Sequence, residues 1–174
     1  MTSPVVLVTG VTSSLGKAIV RRLAFAGYRV AAADRCAGSV NEVTADNKKV
    51  GGDVTGFAVD VGDNSQRSEL ISRVTSELGS LDSLVVVPPD NDVRGDIMDT
   101  STMQFNKVNG DGSGAFWDST KLDEGMQQLQ SMIPLGRYGR PSDAASLVQF
   151  LLSPKAKYIT GENCVLNGGV SFRL

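Results

Sequence analysis

Short apolar runs alternate with amphipathic stretches along the first half of the chain: Val5 to Val8, Leu15 to Ala26, Arg29 to Ala33, Phe57 to Val61, Arg67 to Leu78 and Leu84 to Val87. Strand-length runs separated by helix-length ones predict βαβ units, and therefore a parallel sheet covered by helices. Between Leu15 and Ala26, the residues Leu15, Ala18, Ile19 and Leu23 recur at helical spacing while Lys17, Arg21 and Arg22 point away, and Gly27 supplies a C-terminal stop. Leu70, Ile71, Val74 and Leu78 repeat the pattern ahead of Gly79. Both stripes are expected to face the core.

The second half is less regular. Asp99 to Val108 fits a short helix with Phe105 and Val108 inward, and Gly110, Asp111, Gly112, Ser113 and Gly114 then form a turn or linker that no regular element favours. A modest helical pattern from Asp123 to Met132 rests on Met126 and Leu129. A better one runs from Pro141 to Leu152, with Pro141 suited to a first helical position and Pro154 just past the end. A short strand around Cys164 to Leu166 is expected to close the chain.

With 174 residues, 41% of them hydrophobic, the chain can bury one core, so a single domain over residues 1–174 is expected. A net charge of -2 without a block of lysine or arginine argues against nucleic acid or an anionic membrane as partner and leaves small molecules and other proteins. No apolar run approaches the ~20 residues that span a bilayer. The first strand-like run begins too close to Met1 to leave room for a signal segment, which points to the cytoplasm. Cys36 and Cys164 lack Cys-x-x-Cys spacing and there is no histidine, so neither a disulfide framework nor a typical zinc site is expected, and both thiols read as reduced and structural. The same lack of histidine excludes Ser-His-Asp and Cys-His hydrolases.

Directly after the first strand, Thr9, Gly10, Val11, Thr12, Ser13, Ser14, Leu15 and Gly16 place a glycine-bearing turn at the mouth of a helix. Backbone N–H groups there, backed by the helix dipole, favour a pyrophosphate. Asp34 ends the second strand, where a dinucleotide fold puts the carboxylate that accepts from the adenosine ribose and repels a 2′-phosphate, favouring NAD over NADP. Taken alone, the two glycines fit an ordinary tight strand-to-helix turn equally well, and a solvated loop carboxylate is the lesser alternative for Asp34.

The run from Thr9 to Gly16 resembles the Thr-Gly-x-x-x-Gly-x-Gly loop of the short-chain dehydrogenase/reductase family, except at Ser14. Asp60 with Val61 is similar to the family's adenine-side pair, "LDSLVVVPPD" to its Leu-Asp-x-Leu-Val-Asn-Asn-Ala-Gly run, and Val108 with Asn109 to its helix-borne Val-Asn. The segments "IPLGRYGRPSDAASLVQFLL" and "YITGENCVLNGG" resemble the family's C-terminal end, most of all in 3-oxoacyl-acyl-carrier-protein reductases and their mitochondrial relatives. The resemblance implies a Rossmann-like, doubly wound parallel sheet. It also implies NAD held by Gly10, Ser13, Ser14, Leu15, Gly16, Asp34, Asp60 and Val61, and a location in the cytoplasm or mitochondrial matrix. The ending Ser171-Phe172-Arg173-Leu174 is only a poor match to a peroxisomal Ser-Lys-Leu signal, because Phe172 is too large for its position.

Other family features are missing. Its chemistry needs a tyrosine hydroxyl as acid or base with a lysine at the fourth following position, and none of Tyr28, Tyr138 and Tyr158 has one. Trp117 stands at that spacing from Lys121, but an indole only donates its N–H and cannot replace a phenol. Asn109 belongs before the family's fifth strand, whereas "GAFWDSTKL" resembles the loop after its sixth. The resemblance therefore implies that two strands and the catalytic helix are absent, with a seam at Gly110 to Gly114 and Asn109 as the one relic of the reaction centre. Ser14 in place of the middle glycine, and Val86, Val87, Pro88 and Pro89 in place of Asn-Asn-Ala-Gly, weaken the expected grip on NAD. The expectation is a non-catalytic, structural subunit that binds NAD(H) weakly or not at all. It would join a larger assembly or form a homodimer through the C-terminal helix and strand, Pro141 to Leu166. The alternative is an NAD(P)-dependent oxidoreductase of fatty acid metabolism, of the 3-oxoacyl reductase or 3-hydroxyacyl dehydrogenase type, whose catalytic segment this chain lacks.

Overall fold

Hydrogen bonding between the apolar runs of the first half builds one parallel sheet. The computed structural model describes residues 3–88, 130–131 and 133–169. Its strands are β1 (Val5–Thr9), β2 (Arg29–Asp34), β3 (Val54–Ala58) and β4 (Ser83–Val86), lying side by side in the order β3-β2-β1-β4. Register is set from the centre outward: Leu7 of β1 stands opposite Ala31 of β2 on one side and Leu84 of β4 on the other. Every residue of β1 is buried, as expected of a strand covered on both faces.

Alternation along the strands sends side chains to two separate cores. On one face Val6, Val8, Val30, Ala32 and Val54 pack against Ile19, Val20 and Leu23 of α1 (Ser14–Phe25) and Val40 and Val43 of α2 (Ala37–Lys49). On the other, Val5, Leu7, Ala31, Ala33 and Phe57 meet Leu70, Val74 and Leu78 of α3 (Asn64–Leu78). The doubly wound arrangement read from the sequence is therefore present. Gly27 and Gly79 both adopt positive φ just past their helices, as the stop signals require.

α4 (Pro141–Leu151) lies along α1. Ala145 is buried, Val148 and Leu152 pack on the same core, and the Tyr28 hydroxyl donates to the Leu152 carbonyl at 3.3 Å. Pro141 opens the helix as expected, since its missing N–H costs nothing in a first turn. Arg137 holds Asp143 through both guanidinium nitrogens at 2.7 and 3.0 Å, and the Arg140 amide donates to the same carboxylate at 2.7 Å.

The structure corrects several expectations. α2 was not anticipated, because it buries only Val40, Val43 and Asn47 and carries Gly38, Asn41 and Thr44, poor helix formers. β3 starts earlier than Phe57 and ends at Ala58. Gly56 lies within β3 opposite Ala32, and α2 crosses it so closely that a Cβ there would stand 2.6 Å from Thr44 Oγ1. Ile71, assigned to the core stripe, is 50% exposed. Cys164 to Leu166 form no strand, and Val165 and Leu166 are exposed. Cys36 and Cys164 are free but exposed rather than structural, and the Ser39 hydroxyl donating to Cys36 Sγ holds that thiol below its usual range. The expected helices at Asp99 to Val108 and Asp123 to Met132, and the seam at Gly110 to Gly114, lie outside the described residues, except that 130–131 are helical. No helix among the described residues is long and apolar enough to cross a membrane.

Leu23 is fully buried between sheet and helices, so Leu23→Ala is expected to cost about 2–5 kcal/mol in urea unfolding, whereas Ile71→Ser should stay within ~0.5 kcal/mol. The Arg137 guanidinium, with the Arg140 amide, lowers the Asp143 pKa from 3.8 to about 2. A depressed carboxyl pKa stabilises the fold above the unfolded value and ceases to do so as pH falls through the folded one. The melting-temperature advantage of the wild type over Asp143→Asn is thus expected to be full at pH 7, to shrink below about pH 5 and to vanish only below about pH 2.

Candidate functional site

The strand order reverses at β1, which places a crevice beyond the C-terminal ends of β1 and β4, where ligands bind in open α/β sheets. Gly10 leaves β1 with its amide still donating to the Ala33 carbonyl of β2 at 3.1 Å. Its φ is +72°, and a Cβ there would stand 2.3 Å from the Val87 carbonyl oxygen, so only glycine fits. Val11 then drops fully into the core and anchors the turn.

Ser13 caps α1: its hydroxyl accepts from the Gly16 amide at 3.0 Å and donates to the Gly10 carbonyl at 2.9 Å. Gly16 is buried against that same carbonyl, 2.1 Å from where its own Cβ would be, so turn and helix touch backbone to backbone. Ser14 opens α1 with its side chain exposed, and Leu15 is half-buried against the core. The amides of Ser14 and Leu15 donate to no protein group among the described residues, as is usual in a first helical turn. Two open N–H groups at the positive end of a helix dipole suit one diphosphate.

Asp34 ends β2 and is half-buried. One carboxylate oxygen, Oδ2, accepts from the Thr12 amide at 3.1 Å and the Thr12 hydroxyl at 2.8 Å, and Oδ1 accepts from the Arg35 amide at 2.8 Å. Asp60 lies just past β3, its amide donating to Gln66 Oε1 and its Oδ1 accepting from the Gly62 amide at 2.8 Å, so it shapes the turn before α3. The Val61 side chain is 39% exposed at that rim. The ends of three neighbouring strands thus bring Gly10, Asp34 and Asp60 to one edge of the sheet.

At the other side of the crevice Val87 is buried and its amide donates to the Thr9 carbonyl at 3.2 Å, while Val86 is 68% exposed and Pro88 has no amide to offer. Asn109 and Pro89 lie outside the described residues. Sequence reasoning missed the part played by Thr12, whose only signal is a hydroxyl in a glycine-bearing turn; its bonds to Asp34 join two strand ends that only the sheet makes neighbours.

A model of the short chain dehydrogenase family matches residues 4–108, and one described as enoyl-(acyl carrier protein) reductase matches residues 113–171. The chain is 27% identical to the 3-oxoacyl-(acyl-carrier-protein) reductase of Staphylococcus aureus over 239 aligned positions, covering 94% of this chain and 96% of that protein. That alignment is longer than the chain, so the relative carries a stretch with no counterpart here. Identity to the diacetyl reductase ((S)-acetoin forming) of Staphylococcus epidermidis is 43% over 56 residues, a match spanning 22% of that protein's length. Among solved structures, a short chain dehydrogenase from Bacillus anthracis superimposes with a TM-score of 0.79 at 20% identity, covering 97% of both chains. An actinorhodin polyketide ketoreductase variant with NADPH gives 0.75 at 20% identity, also over 97% of both.

Removing the Ser13 cap with Ser13→Ala is expected to cost about 1 kcal/mol in urea denaturation. Gly16→Ala, which forces a Cβ against the Gly10 carbonyl, should cost more than Ser13→Ala in the same measurement.

Proposed function

Since the chain belongs to the short-chain dehydrogenase family, we propose that it is a non-catalytic member: a structural subunit that retains a low-affinity site for the ADP half of NAD(H) and no machinery for hydride transfer. The observation that carries this reading is the pairing of a β1–α1 loop still closed by the Ser13 cap with the absence of any tyrosine followed at the fourth position by lysine. The relative's unmatched stretch, and the gap between the two family matches at residues 109–112, support a lost catalytic segment at the seam around Gly110 to Gly114.

In this reading the open amides of Ser14 and Leu15 take the pyrophosphate within the loop formed by Gly10, Ser13, Ser14 and Gly16. Asp34 takes the ribose, and Asp60 with Val61 flanks the adenine. NAD(H), when bound, would supply the nicotinamide that exchanges hydride in active dehydrogenases. The exposed Val86 and the amide-less Pro88 give that end little to hold. Self-association through Pro141 to Leu166 is supported by the exposed apolar side chains of Phe150, Leu151, Tyr158, Ile159, Val165 and Leu166.

A second reading has one observation in its favour. The stretch present in the 3-oxoacyl reductase and lacking here would supply the tyrosine and lysine if the cellular protein is longer, and that protein would then be an NAD(P)-dependent oxidoreductase. An intact mass of the source protein, an NADH fluorescence titration and light scattering separate the two. The first reading expects a mass near 18.4 kDa, binding no tighter than millimolar and a dimer; a much larger mass with tight NADH binding and turnover would establish the second, and a monomer would remove the proposed interface.

A further inference from the structure

We propose that Thr12 is a built-in competitor for the ribose at Asp34, an inference that rests on the nucleotide-binding reading above and concerns the same site. A carboxylate offers about four acceptor positions, two on each oxygen. The chain itself fills both on Oδ2, with the Thr12 amide and the Thr12 hydroxyl, and one on Oδ1, with the Arg35 amide. Among the described residues this leaves a single position, on Oδ1. A ribose presents two vicinal hydroxyls, which suit a carboxylate through both of its oxygens at once. With Oδ2 saturated, only one of the pair can bond to the carboxylate unless the Thr12 hydroxyl withdraws.

The contact is well placed to act as a latch. Thr12 sits inside the loop whose amides would take the pyrophosphate, so holding Asp34 also ties that loop to the end of β2. Thr12 is not needed to build the loop, because Ser13 caps α1 and the Gly10–Gly16 backbone contact sets the turn independently. Losing the hydroxyl therefore frees an acceptor without dismantling the site. Only the hydroxyl is dispensable in this way, since the Thr12 amide bond survives any substitution except proline.

The experiment is NADH titration by fluorescence on the full chain, with circular dichroism to verify folding. Thr12→Ala is expected to bind NADH about tenfold more tightly than the wild type, the exchange of one charge-assisted hydrogen bond. Thr12→Val, which keeps the volume but not the hydroxyl, should show the same gain, and Thr12→Ser should match the wild type. In an Asp34→Ala background the gain from Thr12→Ala should disappear. Wild-type binding that is unchanged or weakened in both Thr12→Ala and Thr12→Val would overturn the competitor role while leaving the nucleotide-binding reading intact. Absence of NADH binding in the wild type and in both variants would overturn the two together, whereas binding seen only in the variants would support them both.

Discussion

Backbone meets backbone at the mouth of the sheet with no room for a side-chain carbon, and the rest of the molecule is arranged around that contact. A Cβ on Gly16 would lie 2.1 Å from the Gly10 carbonyl, and one on Gly10 would lie 2.3 Å from the carbonyl of Val87. The first approach seats α1 on the turn that follows β1. The second brings the exit of β4 against the same turn, so a single peptide stretch sets the position of a helix and of the crevice wall beyond it. Val11, fully buried, and the Ser13 cap hold the stretch from beneath and from its end.

That constraint serves two purposes that pull in different directions. A tight loop is a good fold element, since its polar groups are satisfied internally, but a nucleotide site needs donors and acceptors left free. The division is visible residue by residue. The Gly16 amide is spent on Ser13, the amides of Ser14 and Leu15 donate to nothing among the described residues, and three of the acceptor positions of Asp34 are taken by the chain. In the proposed reading, the pyrophosphate end of the site is left freer than the ribose end. At the exit of β4, Val87 is buried and Pro88 offers no amide.

The C-terminal segment shows that strand-like composition alone does not make a strand. Cys164 to Leu166 has strand-like composition, yet a strand exists only when another lies beside it to exchange hydrogen bonds. The four strands described are ordered β3-β2-β1-β4, and the segment pairs with none of them; instead the Leu135 amide donates to the Gly168 carbonyl at 3.1 Å. α4 fares better because a helix satisfies its own backbone. It needs only an apolar stripe, Ala145, Val148 and Leu152, and a surface to receive it, which α1 provides.

Local chemistry in the sequence was enough to determine the elements that carry their own signals. β1 and the helix after it followed from a strand-length apolar run ending in a glycine-bearing turn, the helix stops from Gly27 and Gly79, and the start of α4 from Pro141, because these residues act through φ angles and missing or open amides within a few positions of themselves. Tertiary structure alone decided the rest. α2 exists through three buried side chains too sparse to mark a helix, and Gly56 has no room for a Cβ because a helix crosses it. Ile71 is exposed although it shares the helical stripe of Leu70 and Val74, and Thr12 meets Asp34 because parallel pairing sets β1 beside β2. Each of these depends on which surface arrives from elsewhere in the chain, a quantity that spacing along the sequence does not contain.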